Sequence, residues 1–458
     1  MTDIEVETIH DPRLYGAAAD GVHIDTAAIQ RAIDVAAKVA GRVILAGGTY
    51  RTGALFLRSG ITFEIAEDAT LLATTEDDQY PNIHSRLAGI EMDGPAAVIN
   101  ALDCEDVTLT GAGLIDGNGQ FWWDRYWGPD GDGGVRADYD SRGLRWAADY
   151  DTVRPRLIFI NESRRITVSG LHIRKSPFWT IHLCYTTDAT IADITIADSF
   201  GPSTDGIDID SCERVLVERC SIACGDDNIV LKSGRDADGR RVNRPCRDID
   251  IRDCTIGEGL GVALGSDLSG GISDVRISDL RFEGTDYGFR IKSSRARGGV
   301  VENISVTDLE MTDVVFPFSF ALNWYPWFNQ IEIPDTFTGD IPPWWHVLAT
   351  PIPDDLAPTT VRGMTISRAV SRLSDDYTGE SRAFELDGYP ENPMTGIRLE
   401  DVEIQATNLG QIIGVREFEL NDVRIAIDSA RDPSDDLKHH LTHPQWRART
   451  EVSDERHR

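Results

Sequence analysis

Five ionisable side chains in three short motifs hold the chemical interest of this chain. Ser203-Thr204-Asp205-Gly206 is followed by Gly225-Asp226-Asp227-Asn228 and later by Arg290-Ile291-Lys292. Asp205 precedes the acidic pair by 21 and 22 residues. Carboxylates brought close together cannot all ionise at their solution pKa, because each raises the others'. One acid kept protonated beside others kept ionised is the arrangement that glycosidic hydrolysis needs. Clustered Asp residues also suit a hard cation such as Ca²⁺. Arg290 and Lys292 on the same face would repel a cation and pair instead with an anionic substrate, Arg by a bidentate fork to a carboxylate.

The surrounding sequence explains how such distant residues could meet. Apolar positions recur as h-x-h-x-x-h-x-h: Ile166, Val168, Leu171, Ile173; then Ala189, Ile191, Ile194, Ile196; then Val215, Val217, Cys220, Ile222. Three more copies begin at Ile249, Val275 and Ile304, and the steps between first positions are 23, 26, 34, 26 and 29 residues. Such a period marks a solenoid whose units bury their apolar faces only by stacking. Alternation of period two predicts strand, and the phase break after the second position predicts a corner. With no helical pattern between copies, the expected fold is all-β: a single-stranded right-handed parallel β-helix. One coil after Asp205 the chain returns at Asp226-Asp227, about 4.8 Å away. Later coils pass Gly259-Leu260-Gly261 and then Arg290 and Lys292.

The totals narrow the class. Net charge is −31, and lysine occurs only at positions 38, 175, 232, 292 and 438. A surface this acidic and lysine-poor stays hydrated in concentrated salt, so a halophilic source is expected. No basic stripe suggests nucleic-acid binding, and no apolar run is long enough for a membrane span. The start shows neither the basic nor the apolar part of a signal peptide, which predicts a cytoplasmic protein with reduced thiols. Of seven cysteines, Cys220 and Cys254 fill equivalent repeat positions and read as small buried hydrophobes.

Behind Asp25, a candidate N-cap, Ala27, Ala28, Ile29, Ala32, Ile33, Ala36 and Ala37 recur at helical spacing and predict a short helix capping the solenoid. One catalytic β-helix is expected over residues 1–427, with long insertions at about 116–156 and 316–360 and a charged tail over 428–458. The first insertion carries Trp122, Trp123, Tyr126, Trp127 and Trp146; the second carries Trp324, Tyr325, Trp327, Phe328, Trp344 and Trp345. These aromatics could wall a carbohydrate cleft or fold on their own cluster. Lys232 and Arg235 could extend the positive patch, or close a turn by pairing with Asp236 or Asp238.

Ser203-Thr204-Asp205-Gly206-Ile207-Asp208, Gly225-Asp226-Asp227-Asn228-Ile229, Gly259-Leu260-Gly261 and Arg290-Ile291-Lys292, in that order, resemble the polygalacturonase family, glycoside hydrolase family 28. Tyr15-Gly16-Ala17, Asp20-Gly21 and Asp25-Thr26 are similar too, so the resemblance spans roughly residues 13 to 425. It implies inverting, metal-free hydrolysis of α-galacturonide bonds in pectic oligo- or polysaccharides. Asp226 would then be the general acid, Asp205 and Asp227 would activate water, and Arg290 and Lys292 would bind the uronate carboxylate. Ser203 stands where the family has Asn and keeps a hydrogen-bonding side chain towards substrate. Leu260 replaces the family's histidine, as in members acting on rhamnogalacturonan, so a rhamnogalacturonan-type backbone is a second expectation. Long loops closing the cleft favour exo action. The rival readings are a Ca²⁺-dependent uronide lyase and a catalytically impaired glycan-binding β-helix.

Overall fold

The computed structural model describes residues 8–428 apart from 326–328, 330, 336, 354 and 357. The expected tail beyond Asp428, and Trp327 and Phe328 of the second aromatic segment, lie outside the described residues.

The coil containing the acidic pair shows the repeating unit. Strand Glu213–Glu218 turns a corner into Ser221–Cys224, the turn Gly225–Asn228 follows, and Ile229–Lys232 completes the circuit. The first two strands of each coil belong to a 21-stranded parallel sheet, the third to an 11-stranded parallel sheet. The result is a right-handed parallel β-helix. The six repeat copies stack in the register that their spacing predicts: Ile166 pairs Ala189, Ala189 pairs Val215, Val215 pairs Ile249, Ile249 pairs Val275 and Val275 pairs Ile304. Each phase break is a residue in the left-handed region, among them Asp193, Arg219, Asp253, Asp279 and Asp308 with φ between 53° and 58°. One such residue reverses the alternation, so the apolar side chains on both of its flanks point inward. Asp and Asn tolerate this conformation better than most residues. Cys220 and Cys254 lie buried in this core, all seven cysteines being free.

A helix, Thr26–Ala36, packs Ile29, Ala32, Ile33 and Ala36 onto the core beside Val43 and Leu45. Asp25 precedes it, but its side chain does not cap the helix; its carboxylate accepts from the backbone N–H groups of Ala18 and Ala19 at 2.7 and 3.0 Å. Asp25 thus holds the N-cap position as expected, its backbone carbonyl accepting from the N–H groups of Ala28 and Ile29, but without a side-chain cap.

In the 11-stranded sheet, strand Ile207–Asp210 turns Ile207 and Ile209 into the core and Asp208 and Asp210 to the outer face. That outer face is roofed by insertions. The hairpin Asn82–Leu87 and Ile90–Pro95 covers part of it. The insertion at 116–156 adds the helices Gln120–Trp127, Gly134–Ser141 and Ala148–Asp151. The second insertion begins later than expected. Phe316–Ala321 is a strand pairing with Tyr287–Lys292, because Phe318 and Phe320 alternate into the core. Trp122, Trp123, Tyr126, Trp127 and Trp146 are all buried. They hold the roof together: Trp146 meets Trp345 edge-on at 5.1 Å, and the indoles of Trp344 and Trp345 donate to Asp151. The first insertion's tryptophans are therefore packed inward rather than walling a sugar cleft, but not on one cluster of their own: Trp122 joins the β-helix core, Trp123 and Trp127 pack with Tyr126, and Trp146 packs with Trp345.

Candidate active site

Turns at the starts of successive outer-sheet strands place the acids. Strand Ile207–Asp210 pairs with Ile229–Lys232 so that Ile207 stands against Ile229, and Gly206 N–H donates to Asp227 O at 2.9 Å. Two motif residues staple these turns. Thr204 Oγ1 donates to Gly201 O at 2.8 Å and accepts from Gly225 N–H at 3.2 Å. Asn228 Nδ2 donates to Ile222 O at 2.9 Å, while its Oδ1 accepts from Gly261 N–H at 2.8 Å. A Cβ on Gly225 would lie 2.4 Å from Thr204 Oγ1, which accounts for glycine before the acidic pair.

The expected cluster exists: one carboxylate oxygen each from Asp205, Asp226 and Asp227 lies within 4.8 Å of the others. Their surroundings differ. Asp227 is fully buried; its Oδ1 accepts from Arg290 Nη2 and its Oδ2 from Lys292 Nζ at 2.5 Å. Burial alone would raise its pKa, but Arg290 and Lys292 outweigh that and hold it below the usual carboxylate range. Asp205 is pushed up to about 7, first by burial and then by the charge on Asp226, with Lys232 opposing. Near neutrality the site thus contains a protonatable and an ionised carboxyl side by side, which is the division of labour between acid and base. Asp226 is half-buried, more open than either neighbour, and its Oδ1 accepts from Asp227 N–H at 3.1 Å.

Other expected residues fall differently. Arg290 and Lys292 converge on Asp227, with Arg290 also 4.3 Å from the Tyr287 ring centroid and Lys292 5.2 Å from that of Trp324. Lys232 does not extend a positive patch towards solvent. It is buried, with Nζ 3.5 Å from Asp205 Oδ2 and 3.4 Å from Asp208 Oδ1. Arg235 takes the turn-closing role, pairing with Asp236 at 3.3 Å. Ser203 lies outside the acidic cluster; its Oγ is 3.5 Å from Asp149 in the first insertion. Leu260 is fully buried with Val315 and Phe316, against Tyr287 and Tyr325. Only its backbone serves the cluster, its N–H donating to Asp226 O at 2.9 Å.

Residues not singled out from sequence complete the enclosure. Asp149 pairs with Arg154 at 3.0 Å, and Arg154 donates to Pro202 O at 2.6 Å beside Ser203. The next residue, Tyr150, accepts from Arg235 at 2.9 Å on the opposite margin of the sheet. The insertion thus bridges the groove from one side to the other. Nothing in its sequence marks the partners at Pro202 and Arg235, because those contacts span 48 and 85 residues. The alternation Ile207-Asp208-Ile209-Asp210, by contrast, does mark two outward acids.

The donor set tests the metal alternative. A cation seated among Asp205, Asp226 and Asp227 would displace Arg290 and Lys292 from Asp227 and would face Lys232 as well. His182, Cys184 and Asp210 form a second compact group. There Arg156 lies 3.0 Å from His182 Nδ1 and can only donate, so the ring proton sits on Nε2, while Arg86 holds Asp210 at 2.8 Å. That group is filled by guanidinium ions and is built for packing.

Comparison with known proteins agrees with this geometry. Residues 57–330 match the family model described as Glycosyl hydrolases family 28. A probable polygalacturonase of Vitis vinifera is 30% identical over 403 residues, covering 85% of this chain and 73% of that protein. The exopolygalacturonase structure from Thermotoga maritima superposes with a TM-score of 0.74 at 26% identity, covering 92% of both chains. The family 28 exopolygalacturonase of Yersinia enterocolitica shares the fold, with a TM-score of 0.77 at 21% identity over 94% of this chain and 76% of that one. The chain is a glycoside hydrolase and belongs to glycosyl hydrolases family 28.

Proposed function

We propose that the protein removes galacturonate units from the end of pectic oligosaccharides, hydrolysing α-galacturonide bonds with inversion. The observation that carries this reading is the trio of Asp205, Asp226 and Asp227 with Arg290 and Lys292 clamped on one of them. Asp226, at the mouth of the trio, donates a proton to the leaving oxygen. Asp205 and Asp227 flank the water and take its proton. The proton that Asp205 retains up to about pH 7 is shared across the trio, and the reactive arrangement carries it on Asp226. Lys292 Nζ spends one of its three N–H bonds on Asp227, so it and Arg290 remain placed to receive a uronate carboxylate.

Spacing and pairing point in different directions on stereochemistry. Inverting pairs generally stand about 6.5–9.5 Å apart and retaining pairs about 5–5.5 Å, so a separation within 4.8 Å by itself sits nearer the retaining class. A retaining enzyme needs a free carboxylate nucleophile. Here both oxygens of Asp227 are engaged by cations, and Asp205 is protonatable and faces Lys232. With Asp226 serving as acid, water is left as the nucleophile, and we follow the pairing. Exo action is supported by the insertion that bridges the groove through Asp149 and Tyr150, and by the likeness to the Thermotoga maritima exopolygalacturonase.

Chromatography of early products from homogalacturonan and rhamnogalacturonan oligomers in high salt tests this. Single galacturonate units should appear from the first time point, with no intermediate lengths. A spread of lengths would overturn exo action, and release from the rhamnogalacturonan alone would overturn the α-galacturonide preference.

A further inference from the structure

Among the buried cations that the mechanism above does not use, Lys232 is the one beside Asp205. Lys232 ends the strand Ile229–Lys232, in register with Asp210 on the strand before it. Its side chain crosses the outer face to sit between Asp205 and Asp208, 3.5 and 3.4 Å from their oxygens, with its ammonium 4.5 Å from the Trp179 ring centroid. It is 4% exposed, and Asp208 beneath it is 0% exposed. A sugar carboxylate approaching this ammonium would meet two aspartates, Asp205 and Asp208, whereas Arg290 and Lys292 share the single carboxylate of Asp227. Among the described residues Asp205 Oδ1 accepts no hydrogen bond, and this ammonium is the countercharge that faces both acids.

We propose that Lys232 is a positioning residue that sets the proton affinity of Asp205, with Asp208 and Trp179 holding it in place, and that it does not bind substrate. An opposite charge a few ångströms away in a dry site favours the ionised form of a carboxyl. The charged groups that face Asp205 are Asp208, Asp226, Asp227, Lys232 and Lys292. Those that face Lys232 are Asp205, Asp208, Asp227 and Asp267, with His182, which is kept neutral by burial and by Arg156, beside it. Among these Lys232 is the cation nearest Asp205, because Lys292 is bonded to Asp227. Without Lys232 the shared proton would be held more tightly on Asp205 and less readily placed on Asp226.

This inference rests on the hydrolase reading only through its kinetic assay. With trigalacturonate as substrate, Lys232→Met should move the alkaline limb of the kcat/KM–pH profile upward by at least about one pH unit and lower kcat, with KM within about twofold of wild type. Lys232→Arg should bring the limb back. Asp208→Asn, nearly isosteric and a guard against misfolding of the Met variant, should not raise the limb. The inference is overturned if Lys232→Met raises KM tenfold with the limb in place, or if Asp208→Asn moves the limb upward. A readout free of turnover keeps the two readings distinguishable. In protein labelled with ¹³C at aspartate carboxyls, one carboxyl should titrate near pH 7 and shift upward in Lys232→Met, whatever the substrate is. An unshifted titration there would overturn the inference alone.

Discussion

Replacing Asp227 by Asn puts the electrostatic arrangement under the most strain. The side chain keeps its shape but loses the charge that faces Arg290 and Lys292, which are 2% and 6% exposed. Two buried cations would then confront each other with one amide oxygen between them. Removing one partner of a buried ion pair costs about 3–5 kcal/mol, chiefly because the remaining charge is left uncompensated. That cost is local to a few coils, so the suitable readout is the apparent melting temperature followed alongside a probe near the site, such as tryptophan fluorescence. A uronate entering the wild-type site competes with Asp227 for the two cations, and in the variant it does not. Free galacturonate should therefore bind Asp227→Asn at least about tenfold more tightly, a difference of about 1.4 kcal/mol. It should restore part of the lost stability by mass action, while neutral galactose should not. Turnover should fall by about 10²–10⁴-fold. Calorimetry and melting curves with both sugars read all of this. A variant that melts with wild type and binds galacturonate no better would refute the placement of Arg290 and Lys292 as carboxylate receptors.

Three further outcomes are expected. The kcat/KM profile of the wild type should fall as pH rises through about 7, because the site there loses the proton that Asp205 holds; a profile still rising at pH 8 would contradict it. The same raised pKa implies that this carboxyl weakens folding as pH climbs from about 4 towards 7, since the folded state binds the proton more tightly than the unfolded chain; melting temperatures across that range check the sign. Leu260→His, which restores the residue the family resemblance leads one to expect, should lower stability by about 1–3 kcal/mol, by placing an imidazole among Val315, Phe316 and Tyr287. It should not raise activity, as parallel melts and rate assays of the variant would show.

The sequence made the solenoid legible because each coil repeats its own constraint. An apolar pair, a left-handed residue and a second apolar pair recur, and a parallel ladder converts that spacing directly into register. The same arithmetic placed Asp205 beside Asp226 and Asp227, whose separation is one coil. Charge pairing was less legible. Lys232 and Lys292 look alike as letters, yet one is folded inward between Asp205 and Asp208 while the other meets Asp227. Both end strands of the outer sheet at equivalent positions of the stack, so the difference lies only in which aspartates their side chains meet. Ser203 shows the same limit: its motif position suggests a substrate contact, but the insertion carrying Asp149 and Arg154 lies against it. Contacts from insertions such as these depend on no period, so the tryptophans of residues 122–146 could be read equally as cleft wall or as core. Asp25 stood where a helix cap belongs, and its carboxylate was drawn instead to the backbone of Ala18 and Ala19.

Proton NMR of the first turnovers on trigalacturonate tests the central claim most directly. Three crowded acids with water as nucleophile must release galacturonate whose new anomeric hydroxyl is β, appearing before mutarotation. Initial release of the α anomer would mean that a carboxylate attacks the sugar, and an unsaturated uronate would mean elimination; either product contradicts the account.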